Sequence, residues 1–219
     1  GAAALHYEYL DDNIYLIATT AAVFHLINHA TFKGSLFMVV GIVDHETGTR
    51  DIRKLGGLMT LMPITFTLAI IGTFSMAGLP PFNGFLSKEM FFTAMVHASN
   101  LDIFNFETLG ILFPILAWIA SIFTFIYSMI LVFKTFTGKY KPEELDKKPH
   151  EAPIGMLISP IVLASLVIII GFFPNLIAQS LIEPAMVSIH PTLLEIGSFH
   201  THIYFWHGWT IELFMTIGV

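Results

Sequence analysis

Five long apolar segments alternate with polar loops along the chain. They cover 14–43, 58–95, 109–136, 154–173 and 199 to the end. Each complete segment has at least the roughly 20 residues that a helix needs to cross a bilayer, and few charges interrupt it. The pattern predicts an all-α fold, a polytopic transmembrane helix bundle. The last segment ends in the apolar stretch Ile211 to Val219, which is short of the roughly 20 residues of a span, so we expect a truncated final helix from about 199.

The second segment, 58–95, is too long for one straight membrane helix, because about 38 residues at about 1.5 Å each exceed a bilayer core of about 30 Å. Its middle reads GLPPFNG at 78–84. The two prolines lack backbone donors, and irregular backbone at membrane depth is tolerated where it lines a cavity. The segment is therefore expected to be an interrupted helix.

With the exceptions of Lys33 and Lys88, the basic residues lie in or beside two loops. They are Arg50, Arg53 and Lys54, and Lys134, Lys139, Lys141, Lys147 and Lys148. Because short cytoplasmic loops carry most of the positive charge, we expect loops 44–57 and 137–153 to be cytoplasmic and the residue 1 end to lie outside. The segment 58–95 must then cross the membrane an odd number of times, and one interrupted crossing satisfies this.

The amino-acid composition is that of a membrane protein and excludes several classes of function. Hydrophobic residues make up 55% of the chain and charged residues 12%, against about 25% charged in soluble domains. A net charge of −6 with 10 Lys and Arg excludes a basic surface for nucleic acid. The absence of Cys excludes iron–sulfur ligation and a thiol nucleophile. Because Gly1 to Leu5 contains no initiator Met and no signal peptide, we expect an internal fragment of a longer protein.

Three ionisable side chains lie four residues apart in the first apolar segment: His25, His29 and Lys33. In a helix this spacing places them on one stripe about 12 Å long. An ionisable group at the bilayer centre costs at least about 2.5 kcal/mol, so such a stripe is expected to line a hydrated path rather than to face lipid. Histidine and a buried lysine can both exchange protons near neutral pH. Helix packing through hydrogen-bonded histidines is the simpler alternative.

Lys88 and Glu89 follow directly after the proline break. Interrupted helices commonly form ion sites in transporters, so Lys88 is a candidate for proton transfer. Glu89 is a candidate for a counter-charge, although adjacent residues on a helix do not face each other. The alternative for Lys88 is that its side chain extends to the membrane surface.

A third group of ionisable residues, His200, His202 and His207, is compatible with a metal site but is more typical of a solvated interface. His25 and His29 have metal-ligand spacing without the glutamate of the His-Glu-x-x-His motif. A haem held by two histidines would need a second His on a facing helix, and it would leave Lys33 and Lys88 without a role. We therefore predict no metal and no cofactor.

The sequences HLINHATFKG at 25–34, DIRKLGG at 51–57 and GLPPFNGFLSKE at 78–89 together resemble the antiporter-like subunits shared by Mrp cation/proton antiporters and respiratory complex I. The last motif is most similar to the Mrp form. The resemblance implies that 1–219 is the second half of an antiporter-like module with two interrupted helices, the first of them at the start of the chain. It also implies roles in proton transfer for His25, His29, Lys33 and Lys88.

These expectations describe a component of a secondary transporter, not an enzyme. It would exchange a monovalent cation such as Na⁺ for H⁺, within a hetero-oligomeric complex in the bilayer of a bacterial plasma membrane. One alternative is a proton-pumping subunit of a respiratory NADH:quinone oxidoreductase or a hydrogenase-type complex. A haem-bearing membrane cytochrome is another.

Overall fold

A computed structural model describes residues 12–99, 110–191, 200–205 and 208–219 of the chain. Over these residues all regular secondary structure is helical, which confirms the predicted all-α class. The helices are α1 Asp12–Thr47, α2 Pro63–Ala77, α3 Asn83–Ser99, α4 Leu112–Phe136, α5 Ile154–Phe172, α6 Asn175–Ile177, α7 Glu183–Ile189 and α8 Ile211–Ile217. A π-helix, Ala178–Ile182, joins α6 to α7, and short 3-10 helices lie at Leu58–Thr60 and Pro142–Glu144.

Helices α1, α4 and α5 are long and apolar enough to cross a membrane, by the segments Leu16–Thr47, Leu112–Phe136 and Ile154–Phe172. Helix α2 is apolar but shorter. Many large apolar side chains of α4 and α5 lie on the surface, including Phe123 and Ile158, with 64% and 55% of their surface exposed. Apolar surfaces of this kind are suited to contact with the hydrocarbon chains of a bilayer.

Helices α2 and α3 lie end to end against α1 and together run antiparallel to it. Near the middle of α1, Asn28 is hydrogen-bonded to Asn83 on α3. Further along α1, Leu36 packs against Gly72 on α2. From Asn28 to Leu36 the chain of α1 therefore runs in the direction opposite to that of α2 and α3, in which the contacted residues go from Asn83 back to Gly72. The interruption predicted at 78–84 is present. The two half-helices on either side of it, α2 and α3, follow each other along the bundle in the same direction.

The other predicted interruption, in the first helix of the chain, is not found: α1 is helical throughout its length. Gly34 has a packing role instead: a Cβ there would lie 2.9 Å from Cδ1 of Leu163 on α5. One residue later, the hydroxyl of Ser35 donates to the carbonyl of Pro160 on α5 at 3.2 Å. The glycine beside Lys33 therefore permits close helix contact and leaves the backbone regular.

The last helix begins at Ile211, and not at about 199 as expected. Residues 200–205 and 208–210 form no helix. Thr210 is extended and its hydroxyl accepts a hydrogen bond from the backbone N–H of Leu213, so it is the N-cap that starts α8. Gly208, with φ +89°, turns the chain just before it. The apolar residues of 200–209 had concealed this boundary.

The loops 48–62 and 137–153 lie at the same end of the bundle and contact each other. The N–H of Gly57 donates to the carbonyl of Thr137 at 3.0 Å, and Lys141 Nζ donates to the carbonyl of Arg53 at 2.7 Å. Arg53 also hydrogen-bonds Asp51, which lowers the pKa of that exposed carboxyl to about 2. The two loops predicted to be cytoplasmic thus share one side of the molecule, while the identity of that side stays a prediction.

The helical segment from α6 to α7 lies at the opposite end, immediately after α5. Its buried side chains, Ile182 and Met186 among them, form an apolar cluster with Phe24 of α1 and Leu86 of α3. The sequence pattern had not indicated this helix. It therefore packs against α1 at Phe24 and against the first turns of α3.

Candidate functional site

The interruption between α2 and α3 is the structural centre of the candidate site. Helix α2 ends at Gly78, whose φ of +81° is left-handed. The N–H groups of Gly78 and Leu79 donate to the carbonyls of Ser75 and Phe74, both at 2.9 Å. Such a terminus satisfies some of the last carbonyls of a helix and leaves others available. One that remains available is the carbonyl of Ala77.

Lys88 reaches back across the interruption to that carbonyl. Its Nζ donates to the carbonyl oxygen of Ala77 at 2.9 Å, although the side chain belongs to the second turn of α3. The C-terminal end of a helix has a partial negative charge, which favours an ammonium group there. Gly78 makes the approach possible, because a Cβ at this residue would collide with Cδ of Lys88. Lys88 is half-buried and remains within the bundle.

His25 and His29 are neighbours on α1, with ring centroids 5.7 Å apart. His25 Nδ1 lies 3.3 Å from the hydroxyl of Ser87, the residue before Lys88. The ring of His29 packs edge-on against Phe32. Both histidines lie on the exposed surface of the described chain, so the enclosed path expected around them is not formed by these residues alone.

Lys33 occupies a separate cleft between α1, α2 and α4. Its Nζ lies 5.6 Å from the ring centroid of Tyr127 on α4, within the range of a cation–π interaction. The open cleft has a volume of about 350 Å³, and Met76 of α2 also lines it. The last turn of α2 therefore borders both lysines: Met76 lines the cleft of Lys33, and the carbonyl of Ala77 accepts from Lys88.

Glu89 is buried, with 8% of its surface exposed. Its carboxyl group lies near that of Glu212 on α8, and two negative charges there would repel each other. Within the part of the chain that the structure describes, the ion pairs do not include one between Glu89 and Lys88. The predicted role of Glu89 as a counter-charge has no support from a direct contact with that lysine.

Comparison with known proteins identifies the family. The transmembrane family model for NADH:quinone oxidoreductase and Mrp antiporter proteins matches residues 13–114. The A subunit of the Na(+)/H(+) antiporter of Bacillus subtilis is 66% identical over 219 residues, 100% of this chain and 27% of that protein. Its counterpart in Alkalihalophilus pseudofirmus is 65% identical over 100% of this chain and 28% of that protein. The chain belongs to this antiporter family.

Solved structures agree with this antiporter family. The Mrp complex from Dietzia sp. DQ12-45-1b has a chain that matches with a TM-score of 0.68 and 34% identity, covering 92% of this chain and 20% of that one. An archaeal respiratory complex, the membrane-bound sulfane sulfur reductase, matches with a TM-score of 0.62 and 28% identity, covering 84% and 33%. The chain is an integral membrane protein. It covers about a quarter of the length of the curated relatives that it matches.

The structure adds polar residues that the sequence analysis had not selected. Asn28, Thr31, Ser75, Asn83 and Ser87 are buried where α1 meets the interruption, with 7% or less of their surface exposed. Small polar side chains in apolar segments were the available signal. This signal is weaker than that of a charged residue, because a single Ser or Thr in an apolar helix can hydrogen-bond to the backbone of its own helix and needs no partner elsewhere.

The third histidine cluster shows no metal geometry. His200 Nδ1 lies 3.7 Å from Oε1 of Glu183, and the ring of His202 packs 4.3 Å from that of Tyr204. His207 lies outside the described residues. Among the residues that are described, no group of three or more His, Asp or Glu side chains could hold a metal ion.

Proposed function

We propose that the chain is part of a subunit of a membrane cation/proton antiporter, which exchanges a monovalent cation such as Na⁺ for H⁺. It corresponds to the second half of an antiporter-like module and assembles with other subunits in a bacterial plasma membrane. The similarity to the A subunits of Na(+)/H(+) antiporters along the whole chain supports this proposal. The observation that carries it is the contact of Lys88 with the free carbonyl of Ala77, at 2.9 Å across the helix interruption.

That contact is suited to a group that gains and loses a proton. The charged ammonium is favoured by the negative end of α2, and a neutral amine would lose most of this interaction. A change in protonation would therefore alter the contact between the two half-helices. The chemistry is transport, with no covalent bond made or broken.

The other groups extend the proposed path along α1. His25 faces the α3 side through Ser87, His29 follows it, and Lys33 occupies the cleft beside Tyr127. Protons would move between them through water, since the rings and amines do not contact one another directly in a continuous chain. The charge of one group raises the free energy of charging its neighbour, so their protonation states are coupled. Glu89 is proposed to contribute a nearby acidic group.

The test is Lys88→Ala and Lys33→Ala in the full-length protein within its complex. We expect both variants to assemble and to lose sodium-driven proton movement in inverted vesicles. Lys134→Ala is the matched control, because Lys134 is exposed in the last turn of α4. Exchange at the wild-type rate in the Lys88 and Lys33 variants would contradict their proposed roles.

A proton-pumping subunit of a redox-driven respiratory complex is the second candidate. It is favoured by the match to the archaeal respiratory membrane complex. The same side chains would then respond to electron transfer in other subunits. Substrate-driven electron transfer by the purified complex, with no sodium-dependent proton exchange, would favour this candidate over antiport.

A further inference from the structure

Ser75 is hydrogen-bonded to both sides of the helix interruption. It lies in the last turn of α2, and its hydroxyl donates to Oδ1 of Asn83 at 2.7 Å. The hydroxyl oxygen of Ser75 also accepts from the backbone N–H of Gly84 at 3.1 Å. Gly84 has no room for a side chain, because a Cβ there would collide with the backbone of Ser75. One hydroxyl thus joins the end of one half-helix to the start of the next.

Asn83 extends this link to α1. Its Nδ2 donates to Oδ1 of Asn28 at 3.0 Å and to the hydroxyl of Thr31 at 3.1 Å. Asn28 returns a hydrogen bond from Nδ2 to the backbone carbonyl of Asn83 at 3.2 Å. Both amide groups of the pair are fully buried. A buried polar network with its partners satisfied is rigid, and loss of one member is costly.

The network and the Lys88 contact share the same two helix ends. Ser75 lies two residues before Ala77, which accepts from Lys88, and Asn83 lies five residues before Lys88 on α3. The hydrogen bonds between Ser75, Asn83 and Gly84 therefore join the same two helix ends that the Lys88 contact spans. Apart from them and from the Lys88 contact itself, the two half-helices are linked by the 78–82 segment and by packing.

We propose that Ser75 and Asn83 are positioning residues that hold the interruption at the width Lys88 needs to reach the carbonyl of Ala77. Asn28 and Thr31 attach this assembly to α1, and so keep Lys88 in register with the helix that contains His25 and Lys33. The inference rests on the proposed role of Lys88 in proton transfer. Its new content is that a neutral network, and not a counter-charge, fixes the position of this lysine.

The first variant is Ser75→Ala, which removes both hydrogen bonds across the interruption. Misplacement of a reacting group by about 1 Å can reduce a rate about a hundredfold. We expect the maximal exchange rate per assembled complex to fall about tenfold to a hundredfold, with the apparent KM for Na⁺ unchanged. A merely structural serine would instead lower the amount of complex and leave the rate of each complex intact.

Ser128→Ala is the matched control. Ser128 is also fully buried, but its hydroxyl donates within its own helix to the carbonyl of Thr124 at 2.6 Å. We expect the rate per complex to remain at the wild-type level. A fall equal to that of Ser75→Ala would show that any buried serine has this effect and would overturn the inference.

A second pair of variants decides the matter if Ser75→Ala does not assemble. Thr31→Val keeps the shape of the side chain and removes the acceptor for Asn83, whereas Thr31→Ser keeps the hydroxyl. We expect a reduced rate per complex in the valine variant and rescue in the serine variant. Wild-type rates in both Ser75→Ala and Thr31→Val, or in Thr31→Val alone where Ser75→Ala does not assemble, would overturn the proposal.

The Lys88→Ala variant separates this inference from the proposed function. Full exchange by Lys88→Ala overturns the proposed role of Lys88 in proton transfer and this inference with it, since a lysine without a role needs no positioning residue. Loss of exchange in Lys88→Ala, combined with a normal rate per complex in Ser75→Ala and Thr31→Val, overturns the positioning role alone.

Discussion

Gly78 illustrates how one residue controls the geometry of the Lys88 contact. Its backbone is left-handed, with φ +81°, and its missing side chain leaves the space through which Lys88 passes. The two requirements are independent, because one concerns the backbone and the other the neighbouring side chain. Glycine satisfies both, whereas asparagine, which tolerates left-handed backbone, satisfies only the first.

We predict that Gly78→Ala weakens both the fold and transport. A left-handed alanine costs about 1–2 kcal/mol, and its Cβ would displace Lys88 from the carbonyl of Ala77. We expect a lower midpoint of thermal unfolding for the purified complex and a lower exchange rate per complex. Gly155→Ala is the control, since a Cβ there meets nothing within 4 Å and the residue is helical. An unchanged exchange rate in Gly78→Ala would contradict the spatial argument.

The sequence was informative about charged residues and less so about neutral ones. Lys33 and Lys88 are exceptional in apolar segments, so composition and spacing selected them. Asn28 and Ser75 differ little from many polar residues in membrane helices, and their importance depends on which residues meet across helices. Those contacts are tertiary, because they depend on how α1 packs against the two half-helices.

At the scale of elements, α2 depends on a cap supplied by a distant loop. Helix α2 begins with Pro63, and Met62 before it provides no side-chain cap. Glu151 from loop 137–153 fills this role: Oε2 accepts from the N–H of Ile64 at 2.6 Å and Oε1 accepts from the hydroxyl of Thr65. A carboxylate at a helix N-terminus is also favoured by the helix dipole. The loop therefore secures the half-helix that presents Ala77 to Lys88.

Glu151→Ala should therefore destabilise the protein by about 0.5–2 kcal/mol, the usual cost of losing a helix cap. Thermal unfolding of the purified complex would measure the change. Glu143→Ala provides the comparison, because Glu143 is exposed in the same loop, in the 3-10 helix Pro142–Glu144. Equal stability of the two variants would show that the cap contributes nothing.

The interrupted and uninterrupted helices differ in how strongly their sequences disfavour a helix. Two adjacent prolines at 80 and 81 cannot continue α2, so the interruption was predictable. Gly34 in α1 only lowers helix propensity, by about 1 kcal/mol relative to Ala, and the helix continues through it with Leu163 packed closely against it. Glycine has both uses, and the neighbouring helix that decides between them is distant in sequence.

At the scale of the whole molecule, both basic loops lie at one end and the α6 to α7 segment at the other. The end with the loops is held by contacts such as Lys147 Nζ to the carbonyl of His45, at 2.9 Å. Helix α5 connects this end to α6. The arrangement agrees with the charge pattern, which required loops 44–57 and 137–153 to share a side of the membrane.

Thiol labelling can determine which side that is. Cysteines introduced at Thr49 and at Glu143 belong to the two loops, while one at Gln179 belongs to the opposite end. We expect a membrane-impermeant reagent to label Gln179→Cys in intact cells, and to label Thr49→Cys and Glu143→Cys only in inverted vesicles, because the positively charged loops should be cytoplasmic. The reverse pattern would invert the orientation without changing the fold. Labelling of Thr49→Cys and Glu143→Cys from different sides would contradict the structure itself, since their loops contact each other through Gly57 and Thr137.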